Sequence, residues 1–265
     1  MRPEHLVGDL RFAGRAAGSA GFTLLTLARF EVESRLHHGA DDERLIAEAM
    51  RRYGRFMCGL YGVHVETGSV PISGFVSGRD DRGRGRVFVV NHRSGLDIIV
   101  TLAFLEGKHV SRADLAGWPI VGPAARRAGI LFVDRESRRS GAAVVQHMIE
   151  NIERGLGVII FPEGTTFAGD EVRPFKPGAF AVARRTECEI VPVGIAYGGR
   201  ASSFDDEPFM AHMRRVASVS DTRVGLVVGD PLRAKGRDSQ SLAEAARQAV
   251  AEQVARARAL AGPAL

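Results

Sequence analysis

Short apolar runs alternate with glycine- and charge-rich stretches along this chain, and run length separates strands from helices. Val87-Phe88-Val89-Val90 is β-branched and aromatic and follows the Gly/Asp/Arg segment 78–86, so it reads as a buried strand. Similar runs end near Asp134-Arg135, at Phe161 and at Ile195, and a late run over 224–228 stops at Gly229-Asp230-Pro231. The leucine-rich stretch 96–105 is long enough for a helix, with Ser94 as its expected N-cap. Residues 140–154 set Val144, Val145, Met148, Ile149 and Ile152 on one helical stripe, and the alanine- and arginine-rich stretch 241–260 reads as a further helix. Residues 63–86 read as a short β segment and a turn, and 203–213 as a lid or surface loop. Strands alternating with helices predict an α/β domain whose mixed, largely parallel sheet is flanked by helices.

The first 62 residues carry a different pattern. Leu45, Ile46, Ala49, Met50, Tyr53, Phe56, Met57, Leu60 and Tyr61 share a helical face opposite Arg44, Glu48, Arg51, Arg52 and Arg55. Together with residues 22–36 this predicts an N-terminal helical segment, 1–62, ahead of a domain over 63–265. Two covers fit the stripe, a membrane interface or the sheet of the same chain. The apolar stretch between Arg15 and Arg29 is shorter than the roughly 20 residues a membrane span requires. No cleavable signal pattern stands out, so the expected location is the cytoplasmic face of a membrane, peripheral or interfacially anchored and without a transmembrane span. No internal repeat or low-complexity linker marks a second domain.

At 265 residues, 45% hydrophobic and 25% charged, the chain suits one sizeable core. Its formal charge of +5 favours anionic partners such as a phosphorylated acceptor, coenzyme A or an acidic membrane face. Nucleic acid is not expected, because no basic stripe is interleaved with aromatics. Cys58 and Cys188 are too few for a disulfide framework and have no neighbours at metal-ligand spacing. His37, His38 and His147 read as surface residues.

The candidate chemistry lies in Asn91-His92-Arg93-Ser94-Gly95-Leu96-Asp97, at the end of the first strand. An imidazole can deprotonate a substrate hydroxyl near neutral pH when a carboxylate fixes its tautomer, so His92 is a candidate base and Asp97 its orienting partner. The nucleophile would be the substrate's own alcohol. Asp97 alternatively fits a capping box, satisfying a helix-start amide. Further runs end in Arg135 and in Glu163-Gly164-Thr165, and polar strand ends in an open α/β sheet point to one crevice.

The segments NHRSGLD, GILFVDR, FPEGTT and VPVGI, over residues 91–195, resemble in order and approximate spacing the motifs of the glycerolipid acyltransferase family typified by lysophosphatidic acid acyltransferase. The resemblance implies that His92 is the general base and Asp97 its orienting carboxylate. It implies that Arg135 meets an anionic head group, and that Glu163, Gly164 and Thr165 line the acceptor pocket. It also implies acyl transfer from acyl-CoA or an acyl carrier protein to a lyso-lipid hydroxyl at a membrane surface, with no metal or other cofactor. Backbone amides after Ser94 are candidate oxyanion donors.

One departure concerns the acceptor. Family members that form phosphatidic acid commonly continue the third motif with arginine, whereas Thr166 stands here, and Lys176 or Arg173 could supply the charge instead. The pattern is also similar to that of members that acylate lyso-ornithine lipid. A thioesterase and a non-catalytic lipid-binding protein of the same fold remain as alternatives.

Overall fold

The computed structural model describes residues 3–36, 42–68, 74–134, 136–199, 204 and 207–263. Two helices lead, α1 (Pro3–Leu36) and α2 (Asp42–Tyr61), followed by strand β1 (Val63–Thr67). Then come β2 (Val87–Val90), α3 (Asp97–Phe104), β3 (Lys108–Arg112), a 3-10 turn over Ala113–Gly117 and α4 (Val121–Arg127). The middle of the chain gives β4 (Leu131–Val133), α5 (Arg138–Glu153), β5 (Val158–Ile160), α6 (Gly178–Thr186) and β6 (Glu189–Tyr197). The last elements are α7 (Phe209–Ser218), β7 (Thr222–Val228), β8 (Leu232–Arg233) and α8 (Ser239–Ala261).

The strands form one mixed sheet in the order β1-β7-β6-β2-β5-β3-β4, with β8 paired to β6. The β6–β7 and β6–β8 pairings are antiparallel and the others parallel, as the alternation of runs predicts. Strand β2 shows why an unbroken apolar run belongs here. Phe88 and Val90 join Met57, Val100 and Val216 on one face, while Val87 and Val89 join Val144, Phe180 and Val250 on the other. A strand covered by helices on both faces has no polar side to alternate with. Because β2, β5, β3 and β4 run parallel, their carboxyl ends share one edge.

Two local expectations change, one open alternative is resolved and one strand is added. Helix α3 begins at Asp97 with Leu96 at its N-cap position, so Ser94 does not cap it. Residues from 209 onward of the expected loop form the amphipathic helix α7, which buries His212 and Val216. The α2 stripe packs on its own domain, since Met57, Cys58 and Tyr61 share the core of β2 and β6. Strand β3, with the sequence Lys-His-Val-Ser-Arg, went unpredicted because its inward residues are polar; Lys108 is satisfied by Glu43 Oε2 at 2.7 Å and the Ala128 carbonyl at 3.1 Å.

Candidate active site

The turn after β2 is fixed before any substrate arrives. Asn91 extends the ladder with its side chain: Nδ2 donates to the Ile195 carbonyl and Oδ1 accepts from the Ile195 amide, both at 2.8 Å. His92 follows, and its Nδ1 lies 2.7 Å from Asp97 Oδ2. The same oxygen accepts the amides of Arg93 at 2.7 Å and Ser94 at 3.0 Å. The other carboxylate oxygen accepts the Tyr197 hydroxyl at 2.6 Å. Burial and the neighbouring carboxylate hold the Tyr197 phenol well above its usual range, so it stays a donor. Asp97 is 0% exposed and surrounded by donors. With that carboxylate as acceptor, Nδ1 is the ring nitrogen of His92 that donates. The imidazole stacks on Phe161 with 4.3 Å between centroids and lines a cavity of about 590 Å³.

Glu163 holds this turn from behind and does not line the cavity. Its Oε1 accepts the His92 amide and Arg93 Nη1, both at 2.9 Å, and its Oε2 accepts the Arg173 amide at 3.0 Å. The Arg93–Glu163 pair is buried on both sides. Such an isolated carboxylate would be costly to bury without its cation and amides. Glu163 thus joins the third motif to the first, and the pocket-lining role expected for it falls to its neighbours.

Those neighbours, Gly164 and Thr165, do line the cavity, together with Lys176. Gly164 has φ +81°, and a Cβ there would stand 2.7 Å from Cε and Nζ of Lys176, so the glycine makes room for the lysine stem. The Lys176 amide donates to the Pro162 carbonyl at 2.9 Å, placing it on the loop beside Gly164. Arg173 turns instead to Glu171 and the Phe167 ring. Arg135 lies outside the described residues, as do His37 and His38. The expected oxyanion donors are committed elsewhere. The amides of Arg93 and Ser94 bond to Asp97, that of Gly95 to His212 at 3.1 Å, and that of Leu96 to Ser94 Oγ at 3.2 Å.

The cavity lining includes the apolar side chains of Val110, Val133, Val144, Val145, Met148 and Ile160 as well as charged Arg112, Asp134, Glu136, Lys176 and Glu207. Neither cysteine competes as a nucleophile, because burial pushes the Cys58 thiol up to about 12 and the Cys188 thiol up to about 11. Tyr197, Asn91 and Asp170 are site-building residues to which the sequence reading gave no role. Asp170 accepts Nε and Nη2 of Arg258 on α8, each at 2.7 Å, which ties down the loop after the third motif. For Tyr197 a signal existed: a tyrosine closing a buried strand needs a hydroxyl partner.

A histidine held by a buried carboxylate at the wall of a cavity, at the carboxyl edge of a mostly parallel sheet, gives an α/β fold with a candidate acid–base centre. The chain matches the family described as Acyltransferase over residues 75–196. It is 31% identical over 188 residues to the lyso-ornithine lipid O-acyltransferase of Pseudomonas aeruginosa, covering 69% of this chain and 72% of that one. It is 30% identical over 113 residues to the 1-acyl-sn-glycerol-3-phosphate acyltransferase of Neisseria gonorrhoeae, covering 43% and 44%. The crystal structure of the 1-acyl-sn-glycerophosphate acyltransferase from Thermotoga maritima shares the fold, with a TM-score of 0.70 over 97% of this chain and 96% of that one at 21% identity. The chain belongs to the glycerolipid acyltransferase family and is an acyltransferase of the 1-acylglycerol-3-phosphate acyltransferase-like kind.

Proposed function

We propose that this enzyme moves a fatty acyl group from acyl-CoA or acyl carrier protein to the free hydroxyl of an anionic lyso-lipid such as 1-acyl-glycerol-3-phosphate. The observation that carries the reading is the orientation of His92, whose Nδ1 is held 2.7 Å from buried Asp97 while the ring lines the cavity. Nε2 takes the proton of the acceptor hydroxyl as its oxygen attacks the thioester carbonyl. The tetrahedral intermediate collapses by breaking the carbon–sulfur bond, and the thiolate leaves with the proton held by His92. The thioester is already activated, so the step calls for no metal or further cofactor. The amides of Thr165 and Thr166, which line the cavity and bond to none of the described residues, are the donors this proposal gives to the oxyanion. Lys176 in the lining meets the acceptor's anion, the apolar lining residues receive the acyl chain, and Arg135 of the second motif keeps the head-group role the resemblance implies.

The membrane belongs to the same proposal. No described helix is long and apolar enough to cross a bilayer. Helix α1, however, exposes Leu6, Val7, Leu10, Leu24, Leu25, Val32 and Leu36. It packs against α7 and α4, which also expose Met210 and Val121. An apolar helix face at this place suits interfacial binding, with the lipid acceptor reaching the cavity from the bilayer.

A second acceptor, lyso-ornithine lipid, is favoured by two features of the wall: Thr166 in place of a cation, and Asp134, Glu136 and Glu207 lining the cavity with Lys176 and Arg112. A mixed wall of this kind suits a head group that carries an ammonium as well as an anion. Thiol release is to be measured with acyl-CoA and with acyl carrier protein, alone and with each lyso-lipid. Acceptor-dependent release supports transfer, and the faster acceptor identifies the head group. Release without acceptor would mean hydrolysis, and none with either donor a binding protein. In the productive assay, H92A is expected to lose about 10²- to 10⁴-fold in turnover without a change in thermal stability. Near-wild-type transfer by H92A would end the assignment.

A further inference from the structure

A second histidine stands behind the catalytic turn. His212, on α7, is fully buried, and its Nε2 lies 3.1 Å from the Gly95 amide nitrogen and 3.1 Å from Ser94 Oγ. An amide N–H only donates, so Nε2 is the acceptor and the ring proton sits on Nδ1. That nitrogen is 3.2 Å from Glu207 Oε1, which is also bound by Arg215; Arg215 Nη2 stands 3.3 Å from Nδ1 and, as a donor, is directed to the carboxylate and not to the protonated ring nitrogen. Burial lowers the His212 pKa, which keeps the ring in the neutral form this arrangement needs.

The chain Ser94–His212–Glu207 has the connectivity of a nucleophile, base and acid. Ser94 is not such a nucleophile here. It is 0% exposed and its Oγ also accepts the Leu96 amide at 3.2 Å, so no acyl carbonyl can reach it. The triad has instead become a brace.

We infer that Glu207 and His212 are positioning residues that latch α7 to the turn carrying His92 and Asp97, and that this latch sets the catalytic rate. The inference rests on the acyl-transfer reading of His92. Packing closes the same contact: a Cβ on Gly95 would lie 2.5 Å from Met213 Sδ and 3.4 Å from the Phe209 ring, so α7 sits directly on the turn. The same segment supplies cavity wall, through Phe204, Glu207 and Phe209. The Phe204 amide donates to the Arg93 carbonyl at 2.9 Å. One unit of structure therefore shapes the substrate's wall and fixes the loop that bears the base. Freeing the Gly95 amide lets residues 92–97 shift relative to the substrate hydroxyl, and misplacements of about 1 Å can cost on the order of 100-fold in rate.

The test compares H212L, which fills the space without an acceptor, with H212Q, whose amide oxygen can accept the Gly95 N–H. H212L is expected to lose about 10- to 100-fold in kcat, with KM for acceptor and thioester within about twofold. H212Q should recover most of that loss. Hydrogen exchange should show the Gly95 amide protected in the wild type and H212Q and faster in H212L. Wild-type kcat in H212L, or equal losses in the leucine and glutamine variants, would overturn the latch. If H212L does not fold, E207A takes its place: His212 loses the carboxylate that fixes its tautomer, and because Glu207 also lines the cavity and pairs with Arg215, the latch is read in kcat and in Gly95 amide exchange and not in acceptor KM. A kcat-selective loss in E207A supports the latch, and unchanged kcat rejects it. If the wild type itself shows no acceptor-dependent turnover while H212L keeps the wild-type fold, the acyl-transfer reading has failed and not the brace.

Discussion

Asp97 fills both roles that the sequence left open. It takes the amides of Arg93 and Ser94 in the turn before α3, as the capping-box alternative anticipated for Ser94, and it takes the His92 ring through the same Oδ2. The two roles reinforce each other, because a carboxylate pinned by backbone amides cannot rotate away from the imidazole. The pair was legible in the sequence because both residues lie in one tight turn. Glu163 was not, because its meaning depends on His92, Arg93 and Arg173, which are distant in sequence or joined through the backbone. Gly164 carries a prediction at this scale. With φ at +81° and Lys176 Nζ 2.7 Å from a notional Cβ, G164A should strain the turn by about 1–2 kcal/mol. It should also displace the lysine from the cavity wall. The expected result is a lower melting temperature and an acceptor KM raised at least about threefold, with the thioester KM unchanged. An equal rise in both constants would argue that Lys176 does not serve the acceptor.

At the scale of elements, the N-terminal helices are part of the enzyme's body. Arg15 spreads its guanidinium over the carbonyls of Leu60, Ala217, Val219 and Ser220, tying α1 to the ends of α2 and α7. Arg127 bonds to Glu31 and Asp42, one on each helix. The face of α1 that these contacts leave outward carries Leu24 and Leu25, which are 51% and 62% exposed. Inserting two leucines into an interface stabilises association by about 1.5–3 kcal/mol each. The double variant L24D/L25D should therefore bind anionic lipid vesicles at least about tenfold more weakly in a sedimentation assay. Its melting temperature should stay within about 2 °C of the wild type, because exposed positions contribute little to folding. Equal vesicle binding by the variant would remove α1 from the membrane proposal. Hydrophobic periodicity found the α2 stripe, but periodicity reports only that a face is covered. The stripe that packs inward is on α2, and the uncovered one is on α1.

For the molecule as a whole, buried neutral histidines link stability to pH. Burial pushes His109 down to about 3 and also lowers His212, whereas an unfolded chain protonates histidine near pH 6.5. Below about pH 6.5 the unfolded state binds protons that the native state refuses, so stability is complete above that pH and declines as pH falls. For His109 the decline approaches about 1.4 kcal/mol per pH unit below that pH, and His212 adds to it in the same direction. Urea unfolding between pH 7.5 and 5 should show it, and H109Q, which keeps a donor toward Thr101, should flatten the slope. An unchanged slope would mean that His109 titrates normally in the folded state. The sequence by itself determined the α/β alternation, the order of the motifs and the dyad, because strand burial and a local turn are written in neighbouring residues. Only the tertiary structure decided that Glu163 is a girder, that Tyr197 reaches Asp97 while His212 reaches the Gly95 amide, and that the amides of the turn before α3 are already used. Those facts depend on which distant groups meet in a closed interior, where every buried donor must find one acceptor and excludes the others.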